Sequence, residues 1–244
     1  MKGKDLVALW DWTANELAAL LELAHKLKKD PAEWAGSLRD RTAFLYFEKP
    51  SLRTRVTCEA GMAQLGGQSI TQTPEMGRIG KRESVADVAR NLERWVDLIA
   101  MRTFSQSLVE ETAHYAKVPV INLLTDELHP CQALADLLTI KEHLGELHGR
   151  KLAFVGDGNN VAHSLLIAGA LSGMKIMIVG PRGFEPNVRV MDRAREIAVA
   201  HGAEVAYTTD PNEGVLEADA VYTDVWASMG QEEEAETRRR LFEP

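Results

Sequence analysis

Thr42-Ala43-Phe44-Leu45-Tyr46-Phe47, then Glu48-Lys49-Pro50, then Ser51-Leu52-Arg53-Thr54-Arg55, is the stretch on which the fold turns. The apolar run predicts a strand, Pro50 interrupts it, and Ser51 opens a segment that reads as helix through Leu65. Free backbone N–H groups and the positive end of the helix dipole point at that junction. Two hydroxyls and two guanidiniums placed there make a pocket for a phosphate dianion. The same five residues also fit a solvated helix start capped by serine and threonine.

Outward from this unit the pattern repeats. Short apolar runs rich in β-branched residues predict strands at 42–47, 68–72, 97–102, 118–124, 151–156, 175–180, 204–208 and 220–225. Helix-period segments lie around them at 13–29, 53–66, 84–95, 106–117, 131–145, 160–173, 187–202 and 232–241. Such alternation specifies parallel α/β sheets, here in two four-strand halves. The polar break Gly145-Glu146-Leu147-His148-Gly149-Arg150 places a boundary between a domain of residues 1–145, ending in a bridging helix 131–145, and one of residues 146–244.

The 244 residues carry 28 Lys and Arg against 36 Asp and Glu, a formal net charge of −8. A general nucleic-acid or anionic-membrane surface is therefore not expected, and any anion site is local. The two cysteines, Cys58 and Cys131, stand far apart inside expected helices, as reduced thiols of a cytosolic protein do. No metal-ligand spacing occurs, and no apolar run reaches ~18 residues. The charged start Met1-Lys2-Gly3-Lys4-Asp5 lacks a signal peptide's apolar centre, so the expectation is a cytoplasmic protein.

His129-Pro130-Cys131-Gln132 repeats the first arrangement. It follows the apolar run Val118-Pro119-Val120-Ile121-Asn122-Leu123-Leu124 and opens a helix whose first turn suits Pro130. A histidine and a glutamine there can donate to a carbonyl oxygen and accept from an amide. Arg102, ending the run Leu98-Ile99-Ala100-Met101, suits charge developing on oxygen. Asp224 and Ser228 stand four residues apart after a strand, so one turn can present both to a ligand amine, the carboxylate favouring its charged form. In Gly156-Asp157-Gly158-Asn159-Asn160-Val161 the dinucleotide fingerprint lacks its third glycine. Val179-Gly180-Pro181-Arg182 lacks the acidic residue for a ribose hydroxyl, which argues against a nicotinamide-dependent oxidoreductase. The basic, Gly- and Pro-bearing segment from Thr73 to Ser84 has the composition of an exposed loop. His163 and His201 belong to no constellation. Ser51, Arg102, His129, Asn160 and Asp224 all fall just beyond strand C-terminal ends, where open α/β sheets bind ligands, and they are expected to converge on a cleft between the domains.

Ser51-Leu52-Arg53-Thr54-Arg55 together with His129-Pro130-Cys131-Gln132 resembles the two carbamoyl-phosphate signatures of the aspartate/ornithine carbamoyltransferase superfamily. Asp224-Val225-Trp226-Ala227-Ser228-Met229-Gly230 resembles the amino-acid segment of its ornithine branch, and Asp157-Gly158-Asn159-Asn160 the loop that accompanies it. The likeness runs from about Leu6 to Pro244 in family order. It implies two parallel α/β domains with the active site in the interdomain cleft. It also implies transfer of the carbamoyl group of carbamoyl phosphate to the δ-amino group of L-ornithine, giving L-citrulline and phosphate. Residues 1–145 would bind carbamoyl phosphate through Ser51, Leu52, Arg53, Thr54, Arg78, Arg102, His129 and Gln132. Residues 146–244 would bind ornithine through Asn160, Asp224, Ser228 and Met229, although Asn159 and its neighbours also read as a plain turn. Thr54, Arg102 and His129 would act in catalysis by polarising the carbonyl oxygen, and Gln132 would orient the carbamoyl amino group. The leaving phosphate would take the amine proton, so neither metal nor organic cofactor is implied. Arg78 stands where the family reaches into a neighbouring subunit's site. It implies a trimer or a multiple of trimers if it is not simply a solvated loop residue.

Leu52 replaces the Ser or Thr often seen in the family, a change that a main-chain contact survives. The family's His-Cys-Leu-Pro motif and closing helix have no counterpart before Pro244, so the expectation is carbamoyl-phosphate binding with slow citrulline formation. A carbamoyltransferase for putrescine, lysine or an acylated ornithine is a second reading, opposed by Ser228-Met229-Gly230. A non-catalytic binding or assembly subunit is a third.

Overall fold

The computed structural model describes residues 3–226 and 235–242. β1 (Thr42–Phe47), β2 (Gln68–Gln72), β3 (Leu98–Arg102) and β4 (Val120–Leu124) form one parallel sheet in the order β2-β1-β3-β4. β5 (Lys151–Val155), β6 (Lys175–Val179), β7 (Glu204–Thr208) and β8 (Ala220–Thr223) form a second, in the order β7-β6-β5-β8. The helices are α1 (Ala14–Lys29), α2 (Leu52–Gln64), α3 (Val85–Leu92), α4 (Gln106–Tyr115), α5 (Pro130–Leu144), α6 (Asn160–Leu171), α7 (Val188–His201), α8 (Pro211–Val215) and α9 (Ala235–Phe242). Only α8 has no counterpart among the expected helices, because one turn is too short to display a 3.6-residue period. Its start is nevertheless built by the usual means: Pro211 in the first turn and Asp210 Oδ1 accepting from Asn212 N at 2.9 Å. Among the described residues no helix is long and apolar enough to cross a membrane.

The chain divides into two compact units, one of Met1–Leu9 and Ala19–Cys131, the other of Trp10–Ala18 and Gln132–Pro244. In the first, β1 alternates between two layers. Phe44 and Tyr46 pack with Ile99, Met101, Val109 and Val120, while Ala43, Leu45 and Phe47 pack with Ala100 and Leu123. Each large apolar side chain so withdrawn from water contributes about 1.5–3 kcal/mol, which is why a run without alternation became a central strand. In the second unit α6 is buried from Val161 through Leu171, the signature of a helix inside a core rather than on its surface. A Cβ at Gly158 would lie 2.3 Å from the backbone nitrogen of Pro186, and one at Gly180 would lie 2.6 Å from the carbonyl oxygen of Gly156. Close chain approach therefore accounts for these glycines without a nucleotide.

Parallel strands carry all their C-terminal ends at one edge. In the first sheet β1, β3 and β4 are neighbours, and in the second β5 and β8 are neighbours. Residues distant in sequence thus meet just beyond those ends.

Candidate active site

In the first unit the residues expected to meet phosphate begin at α2. Ser51 is its N-cap, with extended backbone (φ −161, ψ 114), and its hydroxyl accepts from Thr54 N at 3.3 Å. The earlier amides of that turn have no i−4 carbonyl to bond, so they remain available to an anion. Leu52 and Arg53 are exposed, and Thr54 is half-buried. Arg55 is held by Glu59 one turn further along the helix, Nε to Oε1 at 3.0 Å.

Arg102 closes β3 where the β3–β4 register shifts between Met101 and Arg102. A bulge at this point turns the side chain relative to the pleat. Arg102 is 6% exposed, and its Nε has no hydrogen-bond partner among the described residues. Burial, followed by the proximity of Arg53, lowers its pKa. Two guanidiniums brought together raise the local positive potential, and a phosphate dianion or a developing oxyanion lowers it.

His129 enters from the loop after β4. Thr125 shapes that loop: its hydroxyl accepts from Leu128 N at 3.0 Å and donates to Gln106 Oε1 at 2.8 Å, while Thr125 N bonds Leu128 O at 2.8 Å. Burial, with Arg102 adding to it, pushes the imidazole down to about 4. At neutral pH His129 is uncharged, so it can offer one N–H as a donor without adding a second cation beside Arg102. The unfolded chain takes up this proton near ~6.5 and the folded one only near 4, so the burial of His129 makes acid increasingly destabilising as pH falls through that window. In an NMR titration the ring signal assigned through His129→Asn is expected to keep its neutral position down to about pH 5. A midpoint near histidine's usual value would contradict this geometry.

In the second unit, Gln132 lies on the first turn of α5 and Asp136 one turn later. Asn159 caps α6, its Oδ1 accepting from Val161 N at 2.9 Å and Ala162 N at 3.2 Å, and its Nδ2 donates to Asp224 Oδ2 at 3.2 Å. The turn asparagine is thus also what orients Asp224. Asn160 opens α6 half-buried. Ser228 and Met229 lie outside the described residues. Arg78 is exposed, on a loop anchored by buried Ile79, whose N–H meets the Tyr46 hydroxyl at 3.4 Å. His163 is a satisfied core histidine, Nε2 accepting from Asn187 N at 2.9 Å.

Sequence reasoning missed Lys49 and Asp136. Lys49 is 6% exposed, pairs with Asp126, and lies 4.7 Å from the centroid of the Phe104 ring. Glu48 N and Lys49 N both donate to Arg102 O, at 2.8 and 3.4 Å, and Asp126 N donates to Phe104 O at 2.9 Å. The loops leaving β1, β3 and β4 are tied together by these contacts. For Lys49 the signal was a lysine between a buried run and Pro50, and for Asp136 its i, i+4 spacing from Gln132.

The sequence profile of the aspartate/ornithine carbamoyltransferase carbamoyl-P binding domain matches residues 4–142, and that of the Asp/Orn binding domain matches residues 148–244. The ornithine carbamoyltransferase of Anoxybacillus flavithermus is 50% identical over 246 residues, covering 100% of this chain and 78% of that protein. The solved ornithine carbamoyltransferase from Pyrococcus furiosus superposes with a TM-score of 0.95 at 45% identity, over 100% of this chain and 78% of its own. That from Gloeobacter violaceus gives 0.83 at 50% identity, over 93% and 75%. With both profiles filled and close relatives matched along its whole length, this chain belongs to the aspartate/ornithine carbamoyltransferase family.

Proposed function

We propose that this protein is an enzyme that transfers the carbamoyl group of carbamoyl phosphate to the δ-amino group of L-ornithine, releasing L-citrulline and phosphate. The observation that carries the reading is the trio at neighbouring strand ends: Arg53 in the anion-binding turn of α2, buried Arg102, and a neutral His129. The α2 amides, Arg53 and the Thr54 hydroxyl hold the phosphate. The neutral amine of ornithine attacks the carbonyl carbon, and the C=O electron pair moves onto oxygen facing Arg102, His129 and Thr54. The oxyanion's pair then returns to re-form C=O as the C–O bond to phosphate breaks, and phosphate leaves with the electrons of that bond and accepts the amine proton. Positioning and charge stabilisation can each supply several kcal/mol, so no side-chain base is needed.

On this reading residues 1–145 serve carbamoyl phosphate and residues 146–244 serve ornithine, a division supported by the limits of the two family profiles. Asn160, Asp224, Ser228 and Met229 receive the amino acid. A trimer or multiple of trimers, with Arg78 offered to a neighbouring subunit, fits the exposure of Arg78. A cytoplasmic location is supported by the free thiols of Cys58 and Cys131.

A citrulline assay with a panel of amine acceptors tests the reaction, and turnover with putrescine or lysine but not ornithine would refute it. Asp224→Asn is expected to weaken ornithine much more than carbamoyl phosphate, since it removes a negative partner of the substrate's ammonium. Calorimetry showing equal losses for both ligands would mean the amino-acid side has been misassigned.

A further inference from the structure

Gln132 is a symmetric-looking side chain with an asymmetric task. Its amide can present either NH₂ or C=O to a ligand, and the two orientations differ only by a half-turn about the last bond. To meet the amino group of a carbamoyl compound, it must show its oxygen. Something has to choose between the two.

Asp136 stands one turn further along α5, and Gln132 Nε2 donates to its Oδ1 at 2.8 Å. An ionised carboxylate accepts and never donates, so the amide bonded to it must turn its NH₂ inward and keep Oε1 free for a donor. We propose that Asp136 is a positioning residue, fixing the amide of Gln132 so that its oxygen receives the carbamoyl N–H of the substrate. The inference rests on the carbamoyl-transfer reading above and adds to it a group that touches no substrate.

The surroundings of Asp136 give this device a pH limit. Burial, opposed by the Gln132 bond and reinforced by Asp224, raises the carboxyl to about 6. Tyr222 on β8 faces both carboxylates, and burial together with their charge pushes its hydroxyl up to about 12, so it stays neutral throughout. Asp136 Oδ2 is buried without a hydrogen-bond partner among the described residues, so protonation there costs no existing contact. Once protonated, the carboxyl can either donate or accept, so it no longer dictates which end of the Gln132 amide faces it.

Inorganic phosphate has no carbamoyl amino group, and this separates the proposal from a general structural role. Carbamoyl phosphate and phosphate affinities are measured by calorimetry on the purified chain and on Asp136→Asn, from pH 5 to 8. The expected result for Asp136→Asn is a carbamoyl-phosphate affinity several-fold weaker at pH 8, with phosphate affinity unchanged. The extra loss of carbamoyl-phosphate affinity below pH 6, taken relative to phosphate, should disappear in that variant. In a Gln132→Ala background Asp136→Asn should have no further effect, and this comparison, together with unchanged phosphate binding, also excludes misfolding as the cause. Equal weakening of both ligands, additive effects of the two substitutions, or a loss confined to ornithine would each overturn the proposal. If the unaltered chain binds phosphate but not carbamoyl phosphate, it is the carbamoyl-transfer reading that fails.

Discussion

Arg102→Met is expected to lower kcat/KM for citrulline formation about 10²–10³-fold, or about 3–4 kcal/mol, while leaving the unfolding midpoint unchanged or higher. The two halves of that result come from one fact. Arg102 is a buried cation beside a second cation, Arg53, and its Nε is unpaired among the described residues. In the resting protein such a charge is a cost, and methionine fills a similar volume without it. When negative charge develops on the carbonyl oxygen, the same desolvated guanidinium becomes strongly favourable. Steady-state kinetics with a urea titration read both effects. A variant that loses stability but keeps its turnover would show that Arg102 serves the fold and not the reaction.

Arg53→Ala is expected to weaken carbamoyl phosphate and competing phosphate together, by about 2–4 kcal/mol, with ornithine affinity nearly preserved. Arg53 is exposed on the first turn of α2, and the helix keeps its Ser51 cap, so the fold should not respond. The loss should shrink as salt is added, because the removed contact is between charges. Phosphate competing at the strength seen without the substitution would remove Arg53 from the anion clamp.

The legible parts of the site were those written as local chemistry. Ser51 at a strand-to-helix junction reads as a cap and is one, and Pro130 begins α5 as its position suggested. Gln132 and Asp136 are spaced i, i+4 on a helix, a pair visible in the letters. What was not visible is that Asp136 is withdrawn from water and faces Asp224, which is what gives the pair a consequence. Lys49 and Asp126 were illegible for a related reason: charges 77 positions apart carry no mutual signal until the sheet has brought their loops together. The edges of the elements shifted by a few residues where tertiary hydrogen bonds, not propensity, decide the last turn or bridge.

Sequence alone determined the alternation of apolar runs and helix-period segments, and with it two parallel α/β halves, because burying an unbroken apolar strand requires helices over both of its faces. It also determined the capped start of α2 at Ser51, since a hydroxyl at a helix start acts through bonds local to one turn. Only the tertiary structure decided that β1, β3 and β4 would be neighbours, that a register shift would fall at Arg102, and that His129 would be buried beside it. Strand order and desolvation are properties of many residues meeting at once. A neutral histidine next to a buried arginine follows from the environment those residues create, and no single stretch of the chain contains it.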